Sequence, residues 1–163
     1  MISTRKLTIS AMVVALYIVL IYLTQGISFG AYQIRIATSL YALAYAFPFL
    51  SVPMGIGNLI SNFLFGGLGI LDMVGGFGVG ILTTGIIVLM RRAGLSAWWA
   101  MLPITLVPAL CVPLWLSPLV GVPYWALVIN LLIGQTIPGI VGATLVKALA
   151  SRRTVAALMN AIK

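Results

Sequence analysis

The chain has 163 residues, 63% of them hydrophobic and 6% charged, with nine Lys or Arg against a single acidic residue. A water-soluble domain carries about a quarter charged residues, so this chain cannot maintain a solvated surface and belongs in a bilayer. With no His, one Cys (Cys111) and one carboxylate (Asp72), it lacks the groups for a disulfide, a His/Cys zinc site, a Ser-His-Asp or Cys-His centre, paired-carboxylate catalysis or a carboxylate metal cage.

No metal, no cofactor and no enzymatic activity are therefore expected. The chain also has no Gly-Lys pair, and hence no phosphate-cradling loop; if ATP drives it, another subunit hydrolyses the ATP. The net charge of +8 does not point to nucleic acid, because a basic footprint needs a soluble face to display it.

Charge-free stretches run 7–34, 36–71, 73–90 and 93–146. A spanning helix takes about 20 apolar residues, so these stretches hold about six spans. Pro48, Pro53, Pro113, Pro118 and Pro123 mark turns or helix boundaries within the longer ones. The spans are predicted at 7–27, 37–49, 53–68, 72–90, 95–116 and 123–147. The second reaches roughly 20 Å, short of a hydrocarbon core of about 30 Å. It is tilted, re-entrant or continuous with its neighbour.

The expected fold is an all-α membrane bundle of about six helices, one domain over 1–150 with a basic cytoplasmic tail at 151–163. Six spans put both termini on one side, where Arg5, Lys6, Arg91, Arg92, Lys147, Arg152, Arg153 and Lys163 gather. The positive-inside bias makes that side cytoplasmic and leaves Arg35 and Asp72 at the outer face.

On the first span, read as retained rather than cleaved, Ala11 and Ala15 form a small-xxx-small face on which another helix can approach closely. The first outer loop brings Tyr32, Gln33 and Arg35 within four residues: a ring to stack on, an amide and a guanidinium fork. Asn58 and Asn62 stand at i and i+4 on one face of the third span, with Asn130 and Gln135 on the sixth. An amide in hydrocarbon costs several kcal/mol unless paired, so these face the interior; helix-to-helix hydrogen bonding and ligand contact remain alternative uses. For Arg35 and Asp72 a plain ion pair closing the outer surface is the alternative. The glycines between Gly66 and Gly80 fit no nucleotide loop and read as close helix packing. The Trp residues at 98, 99, 115 and 125 lie near span ends, where interfacial anchoring accounts for them.

The run Gln33-Ile34-Arg35-Ile36, the helix ending Phe47-Pro48, the segment Gly55-Ile56-Gly57-Asn58-Leu59-Ile60-Ser61-Asn62 and Gly69-Ile70-Leu71-Asp72 together resemble the queuosine-precursor transporter (QueT) family. These are S components of energy-coupling factor (ECF) transporters. The resemblance implies a six-helix membrane protein of a prokaryotic cell membrane that captures a vitamin-like solute outside. It also implies a transmembrane coupling subunit with two ATPases as partners, docked on a first-helix motif such as Ala11-xxx-Ala15. Where acidic residues stand in the family pattern, this chain has Ala37-Thr38-Ser39 and Gln135.

The expected ligand is a small planar polar metabolite, such as a 7-deazaguanine. Gln33, Arg35 and Asp72 would supply directional contacts, with Asn58 and Asn62 beside them and Asn130 and Gln135 deeper. Tyr32, Trp115 or Trp125 would form a stacking wall. Two other classes are a stand-alone secondary transporter or channel, for which one carboxylate is a poor proton relay, and a noncatalytic assembly subunit.

Overall fold

The computed structural model describes residues 4–149; the expected tail at 151–163 lies outside the described residues. Six helical segments longer than ten residues follow one another among the described residues: α1 (Thr4–Leu23), α2 (Ile36–Ala46), α3 (Pro48–Gly66), α4 (Ile70–Arg92), α5 (Ala97–Val120) and α6 (Tyr124–Leu149), with a single helical turn at Gln25–Ser28 between the first two. All but α2 are long and apolar enough to cross a membrane, and no strand occurs among the described residues. This is the all-α membrane bundle that the spacing of charges predicts.

The second segment differs from its prediction at 37–49. It is a tight 3-10 helix over Ile36–Ala42 continued as one α turn over Leu43–Ala46, roughly 20 Å in all. Pro48 ends it, because a residue before proline is pushed out of the helical region, and Phe47 sits at φ −128°, ψ 81°. Residues 48 and 49 thus open α3 instead.

So short a helix is tolerated because every residue from Ala37 to Ala42 is buried in protein, where non-spanning backbone meets no lipid. Its final carbonyls are capped from α4: Arg91 Nη1 donates to Tyr45 O at 2.8 Å and to Ala46 O at 3.0 Å. A cation at a helix C-terminus also complements the dipole.

Helices α3 and α4 approach backbone to backbone. A Cβ on Gly80 would stand 2.8 Å from Gly55 Cα, the close contact that small residues permit in membrane bundles. Helix α1 is peripheral, burying Tyr17 and Ile21. Tyr17 stacks on Tyr41 of α2 with centroids 5.8 Å apart.

One apolar cluster joins these rings to Leu50, Met54, Ile87 and Ile104. Another, from Val79, Ala109, Val112, Leu116, Leu127 and Leu131, joins α4, α5 and α6. Polar side chains collect between the two.

Candidate binding cavity

The loop between α1 and α2 folds back over the bundle end where α3 gives way to α4 and α5 to α6. At Gln33 the backbone takes φ 46°, a left-handed conformation uncommon outside glycine. Gln135 of α6 stabilises it, donating from Nε2 to Gln33 O at 2.7 Å. Next to it Gly134 offers no side chain, so the Tyr32 carbonyl lies directly against α6 where a Cβ would stand.

Beneath this loop Arg35 is buried, with 7% of its surface exposed. Its Nη2 donates to Asn62 Oδ1 at 2.7 Å, while Asn62 Nδ2 donates to the Asp72 backbone carbonyl at 2.8 Å. The Trp115 indole N–H donates to Asp72 Oδ1 at 3.1 Å. Arg35 and Asp72 are thus linked through Asn62 and not by a direct ion pair. The Arg35 guanidinium also lies 5.1 Å above the Phe29 ring, a cation–π geometry.

Two glycines of α4 make this packing possible. The indole of Trp115 lies where a Cβ on Gly75 would stand, its nearest atoms at 2.7 Å. A Cβ on Gly76 would come within 2.6 Å of both Asn58 Oδ1 and Asn62 Nδ2. The π-helical turn Asn62–Gly66 closes α3 beside them, an irregularity common at functional sites.

A second strand of hydrogen bonds runs deeper. Asn58 Nδ2 donates to Tyr41 Oη at 2.7 Å, and the Tyr41 and Tyr17 hydroxyls are 3.3 Å apart. The Thr38 hydroxyl stands 2.7 Å from Arg35 O and 3.0 Å from Gln135 Oε1. Asn58 and Asn62 therefore bind other helices and line the cavity at the same time.

Two buried polar atoms on residues that border this space have no partner among the described residues: the N–H at Arg35 Nε and the carbonyl oxygen Asn58 Oδ1. Leaving such a group unmet costs about 1–3 kcal/mol. Gln33, Arg35, Asn58, Asn62, Asp72, Trp115 and Gln135 border the same cavity, whose free volume is about 10 Å³, room for about one water.

Above it lies a vestibule of about 300 Å³ bordered by Phe29, Gln33, Gly66, Leu116, Leu127 and Asn130 among others. That is at the lower end of small-molecule sites, about 300–1,000 Å³. Gln33 borders both spaces.

The expected site residues thus divide. Seven of them converge on the cavity. Asn130, expected deep, borders the vestibule instead, because five residues turn a helix by about 140° and separate its face from that of Gln135. The Tyr32 side chain is 50% exposed and Trp125 69% exposed, outside both hollows; Trp125 packs edge-on against Tyr124. Ala11 and Ala15 are exposed on α1.

Thr38, Tyr41 and Phe29 carry contacts that sequence reasoning missed. Thr38 falls at i+3 from Arg35, a back-bonding distance that offered a signal. Tyr41 and Phe29 had none beyond their aromatic character.

A family model described as QueT transporter matches residues 7–151. No curated protein and no solved structure shows significant similarity to the chain.

Proposed function

Because the chain belongs to the QueT transporter family, and so is a membrane transporter, we propose that it is the substrate-binding S component of an ECF-type importer. It captures a small planar lactam of the 7-deazaguanine type, a queuosine precursor, at the outer face of a prokaryotic cell membrane. The observation that carries this reading is the pair of unmet groups on two residues that border one cavity, a donor at Arg35 Nε and an acceptor at Asn58 Oδ1.

A lactam edge presents a carbonyl next to an N–H and so complements such a pair. Asp72, whose Oδ2 accepts no hydrogen bond from the described residues, adds a carboxylate acceptor for the remaining N–H groups of a guanine-like edge. The indole of Trp115, fixed by Asp72 and by Gly75, offers a flat wall.

The cavity in its closed form is smaller than such a base, so the ligand passes through the vestibule as the loop carrying Gln33 and Arg35 shifts. Delivery then falls to a coupling subunit with two ATPases, since the chain has no phosphate loop of its own. Exposure of Ala11 and Ala15 supports α1 as the docking helix: the fold leaves that small-residue face to an outside neighbour.

Reconstitution tests the reading. In liposomes the chain alone should bind a radiolabelled 7-deazaguanine saturably without accumulating it, and uptake should begin only when the coupling subunit, ATPases and ATP are added. Accumulation by the chain alone under an ion gradient would instead establish a stand-alone secondary transporter.

A further inference from the structure

The glycines of α4 are of two kinds. A Cβ on Gly75, Gly76 or Gly80 would meet a neighbour at 2.7, 2.6 or 2.8 Å, so packing requires these three. A Cβ on Gly85 would meet nothing within 4 Å, although glycine weakens a helix interior. Leu82 and Leu89, which share a helix face with Gly85, are 49% and 61% exposed, and the missing side chain leaves a hollow between them.

That hollow belongs to an open groove of about 510 Å³, bordered by Pro48 and Ser51 of α3 and by Leu82, Gly85, Leu89 and Arg92 of α4 among others. From Ile81 to Arg92 the groove follows α4 for about 16 Å, close to one leaflet's share of a hydrocarbon core of about 30 Å. Along α4 its lining is uncharged and apolar until Arg92.

Arg91 is committed inward, to the carbonyls of Tyr45 and Ala46. Arg92 is exposed and makes no hydrogen bond or ion pair among the described residues. The chain's single carboxylate, Asp72, lies about 30 Å away along the same helix and belongs to the buried cluster. The anion that complements Arg92 therefore comes from outside the chain.

We propose that this groove holds one anionic phospholipid of the leaflet on the basic, cytoplasmic side. One acyl chain lies in the hollow at Gly85, and the headgroup phosphate accepts from the Arg92 guanidinium. An apolar slot of one leaflet's depth with an unpaired cation at its headgroup end matches that molecule in length and in charge, as basic pockets between membrane helices do elsewhere. The site is separate from the solute cavity and does not depend on which solute is carried.

Native mass spectrometry of the purified chain with an equimolar mixture of phosphatidylglycerol and phosphatidylcholine, matched in acyl chains, tests this. Phosphatidylglycerol should be retained at least fivefold more than phosphatidylcholine, as a single bound molecule. Gly85→Leu fills the slot from open space and should lower retention of phosphatidylglycerol at least fivefold. Arg92→Gln leaves the slot intact and should bring retention of the two lipids within twofold of each other. Gly78→Leu, at a glycine equally open but outside the groove, should change neither.

Equal retention of the two lipids by the unmodified chain would overturn the proposal without recourse to any variant. So would an unchanged preference in Arg92→Gln, or undiminished retention in Gly85→Leu, either of which would place the lipid elsewhere. If Gly85→Leu spares lipid retention but blocks assembly with a coupling subunit, the groove receives a partner's helix and the lipid site is refuted.

Discussion

Helices α1 and α6 are both long apolar segments, yet the fold uses them in opposite ways. In their most apolar stretches 11% of α1 is buried against 50% of α6. Helix α6 runs against the rest of the bundle because Gly134, Gly139 and Gly142 leave room for the Tyr32 carbonyl, the Thr105 hydroxyl and the Ser39 carbonyl, with Gln135 among them to hydrogen-bond. Helix α1 is attached through Tyr17 and Ile21, and its alanine face is exposed. Apolarity assigns a helix to the membrane, whereas small and polar residues decide which neighbour it takes there.

The comparison makes α6 the helix on which substitutions are felt most. Gly134→Leu forces a branched side chain into the place of the Tyr32 carbonyl. It should unseat the loop, abolish ligand binding and lower stability by about 3 kcal/mol, the upper range for overpacking; thermal unfolding and calorimetry read both effects. Retained binding would show that the loop does not depend on contact with α6.

On the seam between α3 and α4, Gly76→Ala displaces the two amides of Asn58 and Asn62. Ligand affinity should fall about 10- to 100-fold, equivalent to about 1.4–2.8 kcal/mol, with a smaller loss of thermal stability. An unchanged Kd would mean that Asn58 and Asn62 do not contact the solute.

Much of this division was visible in the residues. In a chain with so few polar side chains, each one inside a span needs a partner, so Asn58, Asn62, Asn130 and Gln135 could be assigned to the interior before any contact was known, whereas Arg35 and Asp72 could be placed only at the outer face. The convergence of Asn58, Asn62 and Asp72 on one cavity follows from the i, i+4 spacing on α3 and the position of Asp72 one turn into α4.

What could not be read was depth and direction. Tyr32, Trp115 and Trp125 are equivalent as aromatic residues at span ends; only packing turns Trp115 inward, and it does so because Gly75 stands opposite. The short α2 was flagged by length, but its burial depends on neighbours distant in sequence. Thr38 and Tyr41 hold polar contacts through hydroxyls that are as common on lipid-facing helices as on buried ones.

The effects on α1 should be smaller. Tyr17→Phe removes one hydroxyl next to Tyr41 while keeping the stacked ring, so stability should fall by about 0.5–1.5 kcal/mol and ligand affinity should hold within twofold in the same assays. A large affinity loss would extend the site to α1 and erase the contrast.

The least effect on binding is expected for Ala15→Leu, on the exposed face. Its Kd should match that of the unmodified chain, while ATP-driven uptake by the assembled complex is lost because a second helix can no longer approach closely. Normal uptake would remove this face as the docking surface.

The account depends most on the buried polar cluster's being a binding site and not only a set of helix-to-helix hydrogen bonds. Calorimetric titration of a neutral 7-deazaguanine base into the purified chain and its Arg35→Ala and Asp72→Asn variants, with unfolding temperatures recorded in parallel, tests this directly. The account predicts saturable one-to-one binding that weakens about 100-fold in each variant, with the fold retained in both. Absence of saturable binding, or equal affinity in all three proteins, would contradict it.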